Sequence, residues 1–275
     1  MARLFKIEFL ISVLIGIVLC VYSAVYVICS YYNDLEDLKI IAEQSECIIN
    51  PMASSFSLYN KWIGQEWVSM ASSLLFLLLP ITASLPYSWN YCIEKKSGYI
   101  NNVFTRVYKG RYIKTKFLTT FLVGAISIFI PLLVNIIVVS SFIPAAKPNV
   151  YYDIYYNMPI SCVFSEMFYK TPLLFTVMKI LLISSFGGSF AVLGQATGTI
   201  IKNKFIAVLF PFVFMLLFNY IVNVFSGNIE LSPIQFLYGG GDALTSYWIV
   251  ISELVVLLTS SFLIMKIKGE KKDVL

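Results

Sequence analysis

FLTTFLVGAISIFIPLLVNIIVVSSF, residues 117–142, runs for 26 positions without an ionisable side chain. The hydrocarbon layer of a bilayer is about 30 Å thick and a helix rises about 1.5 Å per residue, so one crossing takes roughly 20 apolar residues. This stretch is long enough to cross. It is too long and too evenly apolar for a barrel strand, which alternates over about 10 residues. Outward from it, further stretches of the same kind occupy 9–31, 67–89, 171–201, 205–225 and 247–267. The chain of 275 residues is 59% hydrophobic and 13% charged, with a mean hydropathy of +0.81, beyond what the core of a soluble domain requires. The sequence therefore predicts an all-α integral membrane protein, a single domain of six transmembrane helices.

Immediately before residue 117 lies YCIEKKSGYINNVFTRVYKGRYIKTK, residues 91–116, which holds seven of the chain's 20 basic residues. Lys and Arg are retained on the inner side of a membrane, and an amino terminus placed inside puts 15 of the 20 there. Glu8, Glu94, Glu270 and Asp273 are the acidic residues on that side, against eleven elsewhere. Both termini are accordingly expected to be cytoplasmic in a multi-pass protein of the cell membrane. Trp62, Trp67, Trp89 and Trp248 fall near expected span ends, where amphipathic rings favour the headgroup region. The first apolar stretch is too long for a cleaved signal. Bulky Leu19 and Ile28 precede Cys20 and Cys29, where a lipoprotein cleavage site takes a small residue.

Several chemistries are excluded by residue type. The chain has no histidine, and its five cysteines, Cys20, Cys29, Cys47, Cys92 and Cys162, show no CxxC spacing, which argues against a metal site. Cys47 and Cys162 share the outer side on this topology, as a pair or as isolated thiols. No GxxxxGK[ST] phosphate loop is present: Gly239-Gly240-Gly241-Asp242 is followed by Ala243 and Leu244. GxSxG is absent too. No catalytic residue, no cofactor in this chain and no nucleic-acid partner are expected.

Two outer loops are long. In residues 32–66, Leu35, Leu38 and Ile41 recur at helical spacing before the Asn50-Pro51 turn, predicting a small helical cap. Residues 143–170 carry Tyr151, Tyr152, Tyr155 and Tyr156, either a substrate contact or an interfacial belt. In the basic segment the apolar residues Tyr99, Ile100, Val103, Phe104, Val107 and Tyr108 follow a four-residue rhythm. Ser97-Gly98 precedes them and Gly110 follows, which predicts a helix of about three turns leading to a basic ramp at 111–116. Such a helix either lies on the anionic inner leaflet or binds a soluble protein.

The run EKKSGYINNVFTRVYKGRYIKTKFL, between the second and third of six stretches, resembles the cytoplasmic loop of permease subunits from ATP-binding-cassette exporters of the type-2, or type V, class. In that family an acidic residue, a small-Gly pair, an apolar helix, an Arg-containing turn and a basic run follow one another. Glu94, Ser97-Gly98, 99–104, Arg106 and 111–116 match them. Val107-Tyr108-Lys109 departs from the family, which often has Pro or Ser in the turn. The amphipathic start at 2–8 resembles the family's connector helix. The resemblance implies a cytoplasmic ATP-binding subunit carrying ATP and Mg²⁺, a second permease, and membrane lipid as partners. It implies export of a hydrophobic or amphipathic compound such as a peptide or antibiotic. Glu94, Gly98, Tyr99, Val103, Phe104, Arg106 and Tyr108 would be the ATPase-coupling residues, with Tyr99 and Phe104 as apolar knobs and Arg106 as an ionic anchor. It also implies short re-entrant helices within 226–246, where a plain outer turn is the other reading. A non-transporting structural or sensory subunit is the alternative function.

Inside the spans, Gly187, Gly188, Gly194 and Gly198 permit close helix approach. Lys179 and Glu253 are the intramembrane charges of note, which either pair with each other or snorkel outward.

Overall fold

The computed structural model describes residues 2–45, 54–66, 68–152, 156, 163–201, 203–225, 231–238 and 246–270. Among these there is no strand. The long helices are α1 (Ala2–Ser45), α6 (Lys109–Ser140), α8 (Pro172–Ile200), α9 (Lys204–Phe225) and α11 (Tyr247–Glu270). All five are long and apolar enough to cross a membrane. Shorter helices lie between them: α2 (Leu58–Lys61), α3 (Met70–Ser84), α4 (Asn90–Lys96), α5 (Tyr99–Phe104), α7 (Ser165–Lys170) and α10 (Pro233–Leu237).

The stretch expected as the second span is divided. Its helical part, α3, has 15 residues, and a turn at 85–89 separates it from α4. Pro86 supplies no N–H to the ladder. The backbone still keeps helical bonds across the turn, from Leu85 N to Ile81 O and from Ser88 N to Ser84 O. In α1 the reverse holds: the helix continues to Ser45 without a separate cap at 35–41, because no Gly or Pro occurs between Gly16 and Pro51. The resulting rod of 44 residues is about 66 Å long.

Helix α8 is the axis of the bundle, packed by α3, α6, α9 and α11, while α1 lies against α3 and α6. Of its apolar window 61% is buried, against 22–39% for the other four long helices. Its glycines make this possible. A Cβ on Gly188 would stand 2.7 Å from the Phe121 carbonyl oxygen of α6, and one on Gly194 would stand 2.4 Å from the Ala207 oxygen of α9. Small residues thus set backbone-to-backbone contact on two faces of one helix. Hydroxyls also bridge neighbouring elements: Ser88 Oγ donates to Ala191 O at 2.7 Å, Ser12 Oγ to Thr82 O at 2.6 Å, and Thr120 Oγ1 to Gln195 Oε1 at 2.8 Å. The core between these helices is aliphatic and aromatic, around Leu75, Leu79, Leu132, Ile183, Phe186 and Phe190.

The bundle has two distinguishable ends. One gathers the first turns of α1 and α9, α4, α5, the start of α6 and the end of α11. The other gathers residues 54–66, the end of α6, α7 and the start of α8. Here Tyr156 is buried against Phe168 rather than placed in an interfacial belt, while Tyr151 is exposed. Tyr155, Trp67, Cys47 and Cys162 lie outside the described residues.

Candidate functional site at the basic end of the bundle

The basic segment folds as two short helices on a buried polar anchor. Glu94, on α4, is 5% exposed and takes an ion pair from Lys116 of α6 at 2.5 Å together with the Tyr112 hydroxyl. Lys116 Nζ also donates to the Tyr87 hydroxyl at 2.9 Å and lies over that ring. The lysine therefore joins the turn 85–89, α4 and α6 in one network. Glu94, one of the residues the resemblance groups as ATPase-coupling, is used inside the protein, holding the segment to the bundle.

Apolar packing completes the anchor. Ile100, with Val103 and Phe104 at its flank, packs on Tyr91, Tyr112, Ile113, Val192 and Met265. Phe104 sits edge-on to Tyr112 at 5.5 Å, with Lys109 over its ring. Phe104, expected as an apolar knob, is half-buried and packs in the seat of α5. Val103 shares that seat. Gly98, at φ +71, starts α5 in a left-handed conformation that a side chain would strain by about 1–2 kcal/mol.

The helix expected over 99–108 stops at Phe104. Val107 N bonds back to Val103 O and the Thr105 hydroxyl to Asn102 O, closing a turn, after which α6 begins at Lys109. Gly110 consequently lies in the first turn of α6 rather than ending a helix, and the ramp 111–116 is helical. What faces outward is Tyr99, Arg106, Val107 and Tyr108, the last 80% exposed. Of the seven residues singled out from the sequence, Tyr99, Arg106 and Tyr108 form an exposed surface. Glu94, Gly98, Val103 and Phe104 form its support.

Cys92 shows how firmly α4 is seated. Its thiol donates to Gly198 O at 3.4 Å, and a Cβ on Gly198 would meet that sulfur at 2.9 Å. Burial pushes the thiol above its ordinary range, with Lys96 and Lys95 opposing. Since the thiolate is the reactive form, Cys92 as the sole cysteine is expected to react with N-ethylmaleimide at least about tenfold more slowly than Tyr108→Cys in a cysteine-free background. Equal rates, followed by mass spectrometry, would show that α4 is not held as described.

The opposite end carries a polar site that the sequence reading missed. Residues 62–66 turn back into the bundle, with Trp62 and Ile63 fully buried and Gln65 and Glu66 nearly so. Trp62 was expected at a headgroup boundary; it is a core residue. The Ile63 N–H donates to Asn135 Oδ1 of α6 at 2.9 Å, and Asn135 Nδ2 donates to Cys20 O of α1 at 2.8 Å. Glu66 Oε1 accepts the Ser69 N–H at 2.7 Å beside that of Val68, fixing the approach to α3, which Ser69 caps through its hydroxyl. Lys179 Nζ donates to Gln65 Oε1 at 2.7 Å and lies 5.7 Å from the Phe175 ring centre. The sequence offers pairing with Glu253 or snorkelling outward; the structure has Lys179 buried, with Gln65 among its partners. The apolar Trp62-Ile63 pair in an acidic loop and the lone amide of Asn135 in residues 117–142 were the available signals.

Residues 231–238 also pack inward: Leu237 is buried in the core, Phe236 is edge-on to Phe186 at 5.3 Å, and the Tyr238 hydroxyl bonds Ser73 Oγ at 2.9 Å. Residues 226–230 and 239–245 lie outside the described residues. No group of three potential metal ligands occurs among the described residues. Comparison with family models, curated proteins and solved structures finds no match to this chain.

Proposed function

We propose that this chain is the permease subunit of an ATP-binding-cassette exporter, driven by a separate cytoplasmic ATPase and paired with a second permease in the cell membrane. The observation that carries the reading is the α4–α5 platform. It is a short helical segment fastened by a buried ion pair, yet presenting Tyr99, Arg106 and Tyr108 outward. A surface that transmits force must be rigidly seated and must leave its contacts free, and a leaflet-bound helix needs no buried ionic anchor. The basic residues of 91–116 support a cytoplasmic location for this end and for both termini.

Six crossings follow if α3 and the turn 85–89 act together, since the 20 residues 70–89 span about 30 Å at helical rise, the thickness of the hydrocarbon layer. The burial of 231–238 supports a re-entrant element between α9 and α11, because irregular backbone at membrane depth survives where protein satisfies it. Hydrolysis of MgATP belongs to the partner. The cargo on this reading is hydrophobic or amphipathic.

Affinity purification in mild detergent tests the proposal. The unaltered chain is expected to bring down a nucleotide-binding subunit, and the double substitution Arg106→Glu, Tyr108→Ala to lose it by at least about tenfold, two exposed interface contacts being worth about 1.4 kcal/mol or more together. Both side chains are exposed, so the variant should keep its unfolding temperature. Isolation of the unaltered chain alone in every detergent would overturn the reading.

A further inference from the structure

Between α8, α9, α10 and α11 lies a cavity of about 150 Å³ whose walls are almost wholly apolar. Phe190, Phe214, Met215 and Phe218 form much of it, and one carboxylate, Glu253, opens into it. Glu253 Oε2 is buried and has no hydrogen-bond donor among the described residues. Lys179, the other charge placed inside the spans, is engaged by Gln65. An uncompensated charge within hydrocarbon is costly, and such residues mark ligand or ion paths. Phe214 and Phe218 stack at 6.1 Å with an interplanar angle of 11°, offering parallel ring faces beside the carboxylate.

We propose that this cavity binds an organic monocation bearing an apolar tail, its ammonium on Glu253 and the phenylalanine faces. A hard metal ion would want six or more oxygen ligands. Among the described residues the wall supplies only the carboxylate and the Ser252 hydroxyl, whose proton goes to Ile249 O at 2.8 Å. An ammonium needs fewer partners, and aromatic faces attract it through their quadrupoles. A volume of this size takes about one benzene ring. The ligand's remaining tail would leave past Val256, which is 61% exposed. Identifying such cations as the exported cargo rests on the permease reading; the binding itself does not.

The probe is benzyldimethyldodecylammonium, with N-benzyl-N-methyldodecanamide as its uncharged counterpart. Equilibrium binding of each labelled compound is measured on the purified chain in phosphatidylcholine nanodiscs, with empty nanodiscs subtracted. Saturable binding of the cation at one site per chain is expected, at least about tenfold tighter than that of the amide, as a charge-assisted contact implies. Glu253→Gln should weaken the cation by a similar factor and leave the amide unchanged. Equal binding of the two compounds to the unaltered chain, no saturable binding, or an unaltered cation affinity in Glu253→Gln would each overturn the proposal. The comparison of compounds needs no substitution and so survives a variant that misfolds. No ATPase is present in the assay: a chain that binds the cation but never captures an ATPase keeps this site and loses the permease reading. Capture without cation binding does the opposite.

Discussion

Replacing Lys116 by methionine is expected to lower stability by about 3–5 kcal/mol, because it leaves a carboxylate in a site that excludes water. Glu94 would keep only the Tyr112 hydroxyl. The double substitution Glu94→Gln, Lys116→Met removes the stranded charge and should recover most of the loss, since a buried pair exchanged for neutral groups of similar size is often close to neutral. Thermal unfolding in detergent, followed by size-exclusion recovery, compares the three proteins. Equal losses in the single and double variants would mean that the pair does not fasten α4 to α6. The pair is worth attention beyond its energy, because every exposed contact of the proposed ATPase surface hangs from it.

Asn135→Leu carries the second large effect. The side chains are similar in volume, so the expected loss comes from polarity: the Ile63 N–H is left without its acceptor, while Cys20 O, inside α1, loses only its second donor. One orphaned buried donor costs about 1–3 kcal/mol. The damage should be local as well, so hydrogen exchange of the amides of 62–66 should accelerate while the α8 amides keep their protection. Uniform acceleration across both would mean that Asn135 supports the whole bundle rather than the returning turn.

The membrane class and the long helices were legible because they depend on composition and length, which α1, α6, α8, α9 and α11 display openly. The glycines of α8 were legible for the same reason: few residue types permit such contact. Boundaries were less so. The unbroken extension of α1 was available in the absence of any Gly or Pro from 17 to 50, but the helical spacing of Leu35, Leu38 and Ile41 was read as a separate element. In the basic segment, charge and apolar rhythm were visible, whereas the partition of Tyr99 to the surface and Phe104 to the seat depends on where α6 lies. The fate of Glu94 was hidden similarly, since its partners Lys116 and Tyr112 stand 22 and 18 residues away. Lys179 and Gln65 are 114 residues apart, and nothing local announces that contact.

Helix α3 deserves a mechanical description. Fifteen residues long, it is stiff along its axis, and it is tied at both ends by something other than loose chain. Before its start Glu66 holds the Ser69 N–H and Gln65 accepts from Lys179; at its end the turn 85–89 delivers Tyr87 to Lys116. It is a connecting rod, about 22 Å in length. Displacing the surface around Tyr108 by a few ångströms would therefore tug the Trp62–Glu66 turn like a stopper on its stem. One stiff helix, tied by hydrogen bonds at each end, thus links the two ends of the bundle.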